Sequence, residues 1–421
     1  MATVSPAAVD QAMEVCRRWG VEARRIGSVT GDGIVTVRSG GEVVAQVPGR
    51  ALADASPALD RPSARPMWLE ELGAEETGAM PPPDLAEALL QLLGSPSVAS
   101  KRWIWEQYDH MILLGTVGPP GGDAAVIRLP DSPVAVALSL DGPGRSCALD
   151  PYEGARLAVA EAARNVACTG ARPAAVTDCL NLGNPTKPEV MWQLKEVVRG
   201  IGEACAALGT PVIGGNVSLY NETEGTSIHP TPVIGMLGIL SSAAAAVPHG
   251  LRRPGEVLVL LGETDPEAFG GSDYASVVEG RLGGRPPRVD LSAERSLIDL
   301  LCSAAEQALL ASAHDLGGGG LAVCLAESAI AGGVGFRVAL PPGEPHLVLF
   351  SESPGRAVVS CSATALGRLL GLARDLGVPC APIGEVGGDI LDFEVMHITL
   401  EQARATFEDA LSSHLLTRVQ V

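Results

Sequence analysis

The chain has 421 residues, a formal net charge of −19, and 46% hydrophobic but only 3% aromatic residues. That length fits two or three domains whose cores are built from Ala, Val, Leu and Ile. The acidic field repels phosphate backbones and anionic lipid, which disfavours non-specific binding to nucleic acid or a membrane surface. Any phosphate must be held locally, by backbone amides, a metal ion or placed arginines.

Only three lysines occur, Lys101, Lys187 and Lys195, and none stands in a G-x-x-x-x-G-K-[ST] setting, so a Walker-type P-loop is excluded. Nine cysteines without a C-x-x-C pair read as reduced thiols and not as a disulfide framework or zinc site. Residues 1–20 carry Asp10, Glu14, Arg17 and Arg18 and lack the apolar stretch of a signal peptide. No segment approaches a membrane span. A soluble, cytoplasmic protein is expected.

A helical pattern (Val9, Met13, Val15, Cys16) opens the chain and leads into residues 20–32, which can be laid over residues 377–389. Gly, Val, Ile, Gly, Val, Gly and Asp recur there in register, and a second amphipathic pattern (Leu366, Leu369, Leu370, Leu372) precedes the second copy. Each copy reads as helix, strand and Gly-Asp turn. Such repeats mark duplicated units. The first copy sits where a domain should begin yet resembles a domain's end, as if the chain opened inside one unit and then held a complete second one.

Residues 53–83 are rich in proline and charge and read as a linker. From Asp84 to Ala246 strands and helices alternate, and a second domain follows Pro248, opening with the strand Glu256–Leu261. Asp150, Pro151 and Glu153 supply an N-cap, a proline at N1 and a glutamate at N3, the signature of a capping box. The helix they start runs through Ala155, Val159, Ala162, Ala163 and Val166 to Gly170, and its alanine face predicts a very close neighbour. Another helix begins near Pro188, carries Val190, Leu194, Val197, Ile201 and Cys205 at helical spacing, and stops at Gly209.

The segment Thr210–Glu222 carries the first candidate chemistry. A short apolar strand runs into Gly214-Gly215-Asn216, where paired glycines let backbone amides approach a phosphate. The Asn216 carbonyl is a hard oxygen suited to Mg²⁺. Ser218, two residues on and on the same strand face, can donate to a ligand oxyanion. An ordinary Gly-Gly turn with Asn in the left-handed region fits the same residues. Asp178 ends the strand Ala174–Thr177 and opens Asp-Cys-Leu-Asn-Leu-Gly-Asn-Pro, a setting suited to metal or nucleotide and equally to turn chemistry. Gly118–Ala125 and Asp141–Arg145 form two further Gly- and Asp-rich turns.

In order, Gly-Asp-Ala-Ala-Val, Leu-Asp-Pro-Tyr-Glu-Gly, Ala-Glu-Ala-Ala-Arg-Asn-Val, Thr-Asp-Cys-Leu-Asn-Leu-Gly-Asn-Pro, Gly-Gly-Asn-Val-Ser-Leu-Tyr-Asn-Glu and Pro-Thr-Pro-Val-Ile-Gly resemble the C-terminal half of the large subunit of the phosphoribosylformylglycinamidine synthase family. Related members include aminoimidazole ribonucleotide synthetase, selenophosphate synthetase and thiamine-phosphate kinase. The resemblance is dense from Gly118 to Gly235 and continues through Gly271–Tyr274, His314–Leu321 and Glu352-Ser353.

It implies an α+β or α/β architecture: a barrel-forming N-domain of the aminoimidazole ribonucleotide synthetase type (84–246), then an α/β sandwich C-domain (247–421). Residues 1–60 would be the tail of a first copy's C-domain, with 61–83 as linker. It also implies a carbon–nitrogen ligase of purine biosynthesis. ATP activates the formyl amide oxygen of formylglycinamide ribonucleotide, and glutamine-derived ammonia displaces phosphate to give the amidine. By motif position Asp178 and Gly215 would contact ATP, Asn216 would bind Mg²⁺, and Ser218 would hold the ribonucleotide. Implied partners are the N-terminal half of the synthetase, a glutaminase subunit and a small bridging subunit.

The same resemblance assigns the acid–base histidines to the first copy and no catalytic residue to this chain, so activity alone is expected to be incomplete. The second C-domain would help form a pseudo-symmetric nucleotide site of structural character. Gly318 stands there where the family pattern expects Asp, and Pro354 where Gln follows Glu-Ser. His314 reads as a capping or packing residue. The alternative function is a nucleotide-binding structural or regulatory module of the same fold.

Overall fold

The computed structural model describes residues 1–55, 57, 59–78 and 80–419, with side chains through residue 415. Two compact units divide it, Met1–Asp60 and Arg61–Val421.

In the first unit a helix, Val9–Arg18, precedes the hairpin of β1 (Ile34–Ser39) and β2 (Glu42–Pro48). Residues 21–30 form no strand, although their counterparts do: Cys380–Val386 is an inner strand hydrogen-bonded on both sides. The physical difference is pairing. A strand needs a neighbour to satisfy its backbone, and the only strands in this unit's described residues are committed to each other.

The second unit holds two sheets. The first contains β3 (Thr116–Gly118), β4 (Ala125–Arg128), β5 (Ala135–Asp141), β6 (Arg172–Asn181), β7 (Val212–Ser218) and β10 (Thr231–Leu240), in the order β3-β4-β5-β10-β6-β7. A two-residue ladder of β8 (Glu222–Thr223) and β9 (Thr226–Ser227) lies between β7 and β10 in sequence. All pairings in the large sheet are antiparallel except β6 with β7. That exception has a covalent cause: the long helix Pro188–Leu208 crosses between them, the connection parallel strands require.

The helix Pro151–Cys168 covers one face of this sheet. Asp150 caps it by accepting from the Tyr152 and Glu153 amides. The reciprocal half of the expected capping box is absent, because Glu153 turns away to accept from the Val289 amide at 2.6 Å and pairs with Arg156. The alanine face does meet close neighbours. A Cβ at Gly200 would lie 2.4 Å from the Tyr152 carbonyl, and one at Gly238 2.1 Å from Val166 Cγ1. Small residues here let helix meet helix and helix meet sheet at near-backbone contact. Among the described residues of the second unit nothing covers the opposite face of the sheet, and Leu138, Leu140 and Ile239 are exposed at 43, 76 and 48%.

The second sheet comprises β11 (Val257–Leu261), β12 (Ser312–Asp315), β13 (Phe336–Val338), β14 (Ala357–Cys361), β15 (Cys380–Val386), β16 (Ile390–Asp392) and β17 (His397–Thr399), ordered β12-β14-β11-β15-β13-β16-β17. The helix Leu291–Glu306 packs against the Pro151–Cys168 helix, and one apolar core runs from Ala135 and Ile234 through Ala163 and Leu301 to Val259 and Val359. A second core packs Leu89, Leu92 and Leu93 against Phe350 and Leu325.

Residues 61–83 include the helix Trp68–Gly73 with Leu69 buried, and the Ala64 amide donates to the Pro188 carbonyl. Among the described residues no helix is long and apolar enough to cross a membrane.

Candidate functional site

Parallel pairing of β6 and β7 joins two motifs far apart in sequence. Asp178 stands opposite Gly215, Cys179 opposite Asn216, and Asn181 opposite Ser218. Side chains alternate between faces along each strand. Asp178 and Gly215 therefore share one face at the β7 edge of the sheet, while Asn216 and Ser218 share the other with Cys179 and Asn181. A Cβ on Gly215 would fall 2.4 Å from Asp178 Oδ1 and 2.8 Å from its carbonyl oxygen, so only glycine fits beside this carboxylate. The Asp178 carboxylate makes no hydrogen bond among the described residues, and partial burial raises its pKa.

The end of β7 is tightly tied. The Asn221 Nδ2 donates to the Leu182 and Ser218 carbonyls, both at 2.9 Å, and lies 3.2 Å from Ser218 Oγ. Tyr220 adopts φ +62°, which lets the chain reverse so that Asn221 can reach back. Glu222 Oε1 then accepts from Lys187 Nζ at 2.8 Å, Ser227 Oγ at 2.8 Å and the Asn184 amide at 3.2 Å. The Lys187 bond, followed by that of Ser227, holds the Glu222 pKa below its usual value. The Leu-Gly-Asn-Pro loop and the Val-Ser-Leu-Tyr-Asn-Glu loop are thus one clamped assembly. The four residues singled out in the sequence lie on this one strand pair, in two pairs on opposite faces.

A second polar centre lies in the core between the two sheets. The helix Pro151–Cys168 sends Glu161, Arg164 and Asn165 into it, each from an otherwise alanine-rich surface. Asn165 Nδ2 donates to Asp141 Oδ1 at 2.9 Å. Arg164 bridges Glu294 at 2.7 Å and Asp315 at 3.0 Å, with all three nearly inaccessible. His314 is neither a cap nor a passive packing residue. Its Nδ1 lies 2.9 Å from Asp123 Oδ1 and its Nε2 3.0 Å from Glu327 Oε2, because β12 is buried throughout and the ring must find polar partners there.

Carboxylates outnumber cations in this centre, and the electrostatics follow. Burial, then the charge of Asp315, pushes Asp141 up to about 7, and burial pushes Asp315 up to about 7 as well. Burial and the neighbouring Asp141 and Asp315 raise Glu161 well above the carboxylate range. Burial and Asp273 take Glu352 to about 8. Asp123 is the exception: burial pushes it up, but the His314 charge and hydrogen bond hold it below its ordinary value. His314 is raised in turn, Asp123 outweighing the burial that opposes its charge.

Asp123, His314 and Asp315 offer ligand atoms within 4.8 Å of one another, but the His314 ring is already occupied by two carboxylates. The unspent acceptors lie elsewhere. Asp141 Oδ2 and Asn165 Oδ1 are buried without a hydrogen-bond partner. Oxygen atoms left unpaired in a buried, acid-rich centre fit a hard divalent cation. The sequence offered a signal, since Glu161 and Asn165 stand one turn apart on a buried helix face. Gly318 borders this centre, and a Cβ there would lie 2.5 Å from Asp273 Oδ2, the other oxygen of that carboxylate, Oδ1, being held by Arg145 at 2.6 Å. The Glu352-Ser353-Pro354 loop is fixed by buried Arg356, which donates to the Ser351 and Ser353 carbonyls.

The family description "AIR synthase related protein, N-terminal domain" matches residues 121–240, and "AIR synthase related protein, C-terminal domain" matches residues 253–394. The protein named phosphoribosylformylglycinamidine synthase subunit PurL from Moorella thermoacetica is 48% identical over 388 residues, covering 92% of this chain and 53% of that protein. Its counterpart from Parafrankia sp. is 45% identical over 420 residues, covering 98% and 54% respectively. The chain spans about half the length of the curated relatives it matches. The structure of Thermotoga maritima PurL complexed with FGAR shares the fold, with a TM-score of 0.64 at 24% identity over 76% of this chain and 54% of that one. The PurLQS structure from the same organism superposes with a TM-score of 0.61 at 24% identity over 82% and 55%.

Proposed function

The chain belongs to the AIR synthase related family, within the branch of the phosphoribosylformylglycinamidine synthase subunit PurL, and from that premise we propose that it supplies half of an ATP-dependent amidating site. The substrate of that site is formylglycinamide ribonucleotide and the nitrogen comes from glutamine through a separate glutaminase. The observation that carries this reading is the β6–β7 register, which sets the Asp178 carboxylate against Gly215 and puts Asn216 and Ser218 together on the opposite face of the same edge strand.

Each residue has a distinct task. Gly215 leaves its backbone open to a nucleotide phosphate where any side chain would collide with Asp178. Asp178 accepts from the nucleotide on the same face. Asn216 offers a carbonyl oxygen to Mg²⁺, and Ser218, held by Asn221, hydrogen-bonds the ribonucleotide. A bound Mg²⁺ would neutralise phosphate charge, the largest electrostatic need of phosphoryl transfer in a protein of net charge −19. The centre of Asp141, Glu161, Asn165 and Asp315 would hold a further divalent ion of structural character.

General acid–base groups are proposed to come from the part of the PurL relatives outside the matched half. The exposed apolar face of Leu138, Leu140 and Ile239 supports pairing with the corresponding sheet of that part, closing a barrel. Residues 1–60 would then be the tail of the first copy, and the PurLQS assembly of Thermotoga maritima supports glutaminase and small-subunit partners. Ser218→Ala tests the reading in the reconstituted enzyme. It should raise KM for the ribonucleotide with little effect on KM for ATP, and an unchanged KM for the ribonucleotide would remove Ser218 from the site.

A further inference from the structure

Asn181 is the last residue of β6 and stands directly opposite Ser218 across the parallel β6–β7 pair. On its other side it is paired with Thr231, the first residue of β10. Residues paired across a sheet share a face, so Thr231, Asn181 and Ser218 form one row across three strands. Leu138 and Leu140, paired with Leu237 and Gly235 of β10, lie on this face too. The row therefore belongs to the uncovered side of the sheet, away from the helices.

The Asn181 amide is held in one orientation. Its Nδ2 donates to the Cys179 carbonyl at 3.0 Å and to the Thr231 carbonyl at 3.1 Å. Carbonyl oxygens only accept, so the nitrogen must lie on that side and both of its protons are spent. Among the described residues Oδ1 receives only the Cys179 thiol, a weak donor, at 3.9 Å. What Asn181 offers is thus a fixed acceptor, suited to a hydroxyl or N–H and repelled by a phosphate oxygen. A metal ion on Asn216 is the competing occupant, and distance favours the ligand of Ser218. With strands about 4.8 Å apart and a rise of about 3.3 Å per residue, the Asn181 backbone is about 5 Å from Ser218 but about 8 Å from Asn216.

We infer that Asn181 is a further substrate-binding residue, its Oδ1 accepting a hydrogen bond from a ribose hydroxyl or an amide N–H of the ribonucleotide that Ser218 holds. The two side chains make a two-point grip, a hydroxyl on β7 and an acceptor on β6. This rests on the assignment of Ser218 to the ribonucleotide.

Steady-state kinetics of the reconstituted enzyme with two variants of similar size tests the inference. Asn181→Leu and Asn181→Asp both lose the bonds to the Cys179 and Thr231 carbonyls, but only the aspartate keeps an acceptor. Asn181→Leu should raise KM for the ribonucleotide roughly threefold to tenfold, the worth of one neutral hydrogen bond, with KM for ATP unchanged. Asn181→Asp should stay close to the parent. Substrate analogues lacking one ribose hydroxyl or one amide N–H then identify the donor. One of them should raise KM in the parent and raise it no further in Asn181→Leu. Equal KM in the two variants, or an equal penalty for every analogue in parent and variant, would reduce Asn181 to a strand-end tie and overturn the inference. A higher Mg²⁺ requirement in Asn181→Leu with an unchanged ribonucleotide KM would make it a metal ligand and equally overturn it. Ser218→Ala, run beside these, separates the two failures: if it raises KM while Asn181→Leu does not, only Asn181 leaves the site, and if neither does, the reading of the whole face falls.

Discussion

Gly215 and Asp178 stand side by side across the parallel β6–β7 pair, so close that a Cβ on the glycine would lie 2.4 Å from the carboxylate oxygen. Gly215→Val must therefore displace either Asp178 or the strand. Because β7 is an edge strand, the rest of the sheet can absorb the change. The expected result is loss of ATP-dependent turnover in the reconstituted enzyme with a melting temperature within a few degrees of the parent. A variant that keeps its ATP affinity would separate Gly215 from the nucleotide.

Asn221 and Glu222 hold the turn after Ser218 through hydrogen bonds to Leu182, Ser218, Asn184 and Ser227. Asn221→Ala removes donors to two carbonyls and leaves them unsatisfied, a cost of about 1–3 kcal/mol for each group that stays buried. KM for the ribonucleotide should rise more than kcat falls. Glu222→Gln should retain part of the clamp because its carbonyl still accepts from Ser227 and Asn184, whereas Glu222→Ala should not. Steady-state kinetics of the three variants distinguishes positioning from a general loss of fold.

The acid centre gives a pH dependence with a defined sign. Asp141 and Asp315 are raised to about 7 and Glu352 to about 8 in the folded chain. Carboxyls titrate near about 4 when unfolded. A raised folded pKa contributes stability that is present below the unfolded pKa and lost as pH rises through the folded one. Without divalent ions the melting temperature should fall between pH 5.5 and pH 8.5, with His314, also raised, acting in the same direction. Asp123, held low, contributes the opposite slope only at acid pH. Adding Mg²⁺ should raise the melting temperature more at pH 8.5 than at pH 5.5. An equal effect at both pH values would place the ion outside this centre.

Arg164 is 2% exposed and bridges two carboxylates from different elements. Arg164→Met keeps the bulk and strands two buried acids, so a loss of about 3–5 kcal/mol is expected from chemical denaturation. A loss below about 1 kcal/mol would mean that the acids protonate at little cost.

Helix ends were legible from local signals. Asp150-Pro151 and Pro188…Gly209 place the two long helices because caps, prolines and left-handed glycines act within a few residues. The alanine face also announced its close packing. What local signals could not supply was pairing. Residues 21–30 resemble the strand at Cys380–Val386 yet stay irregular, since strand formation depends on a neighbour. Glu153 looked like half of a capping box and instead serves Val289, which is 136 residues away. The motif at Asp178, Gly215, Asn216 and Ser218 was readable as residues, but its division between two faces emerges only from the register of β6 and β7. The acid centre was missed because Asp123, Asp141, Glu161, Asp315 and Glu352 each sit in an ordinary turn, strand or helix, and burial alone makes them a group.

The central claim is that this chain contributes nucleotide- and substrate-binding residues, but not the acid–base groups, to a composite amidating site. The direct measurement is formation of the amidine ribonucleotide from formylglycinamide ribonucleotide, Mg-ATP and ammonia. It should be made with the chain alone, with the complementary half of a PurL relative added, and with that half plus Asn216→Ala. Turnover is predicted only in the second mixture. Normal turnover by the chain alone, or full turnover with Asn216→Ala, would contradict the account.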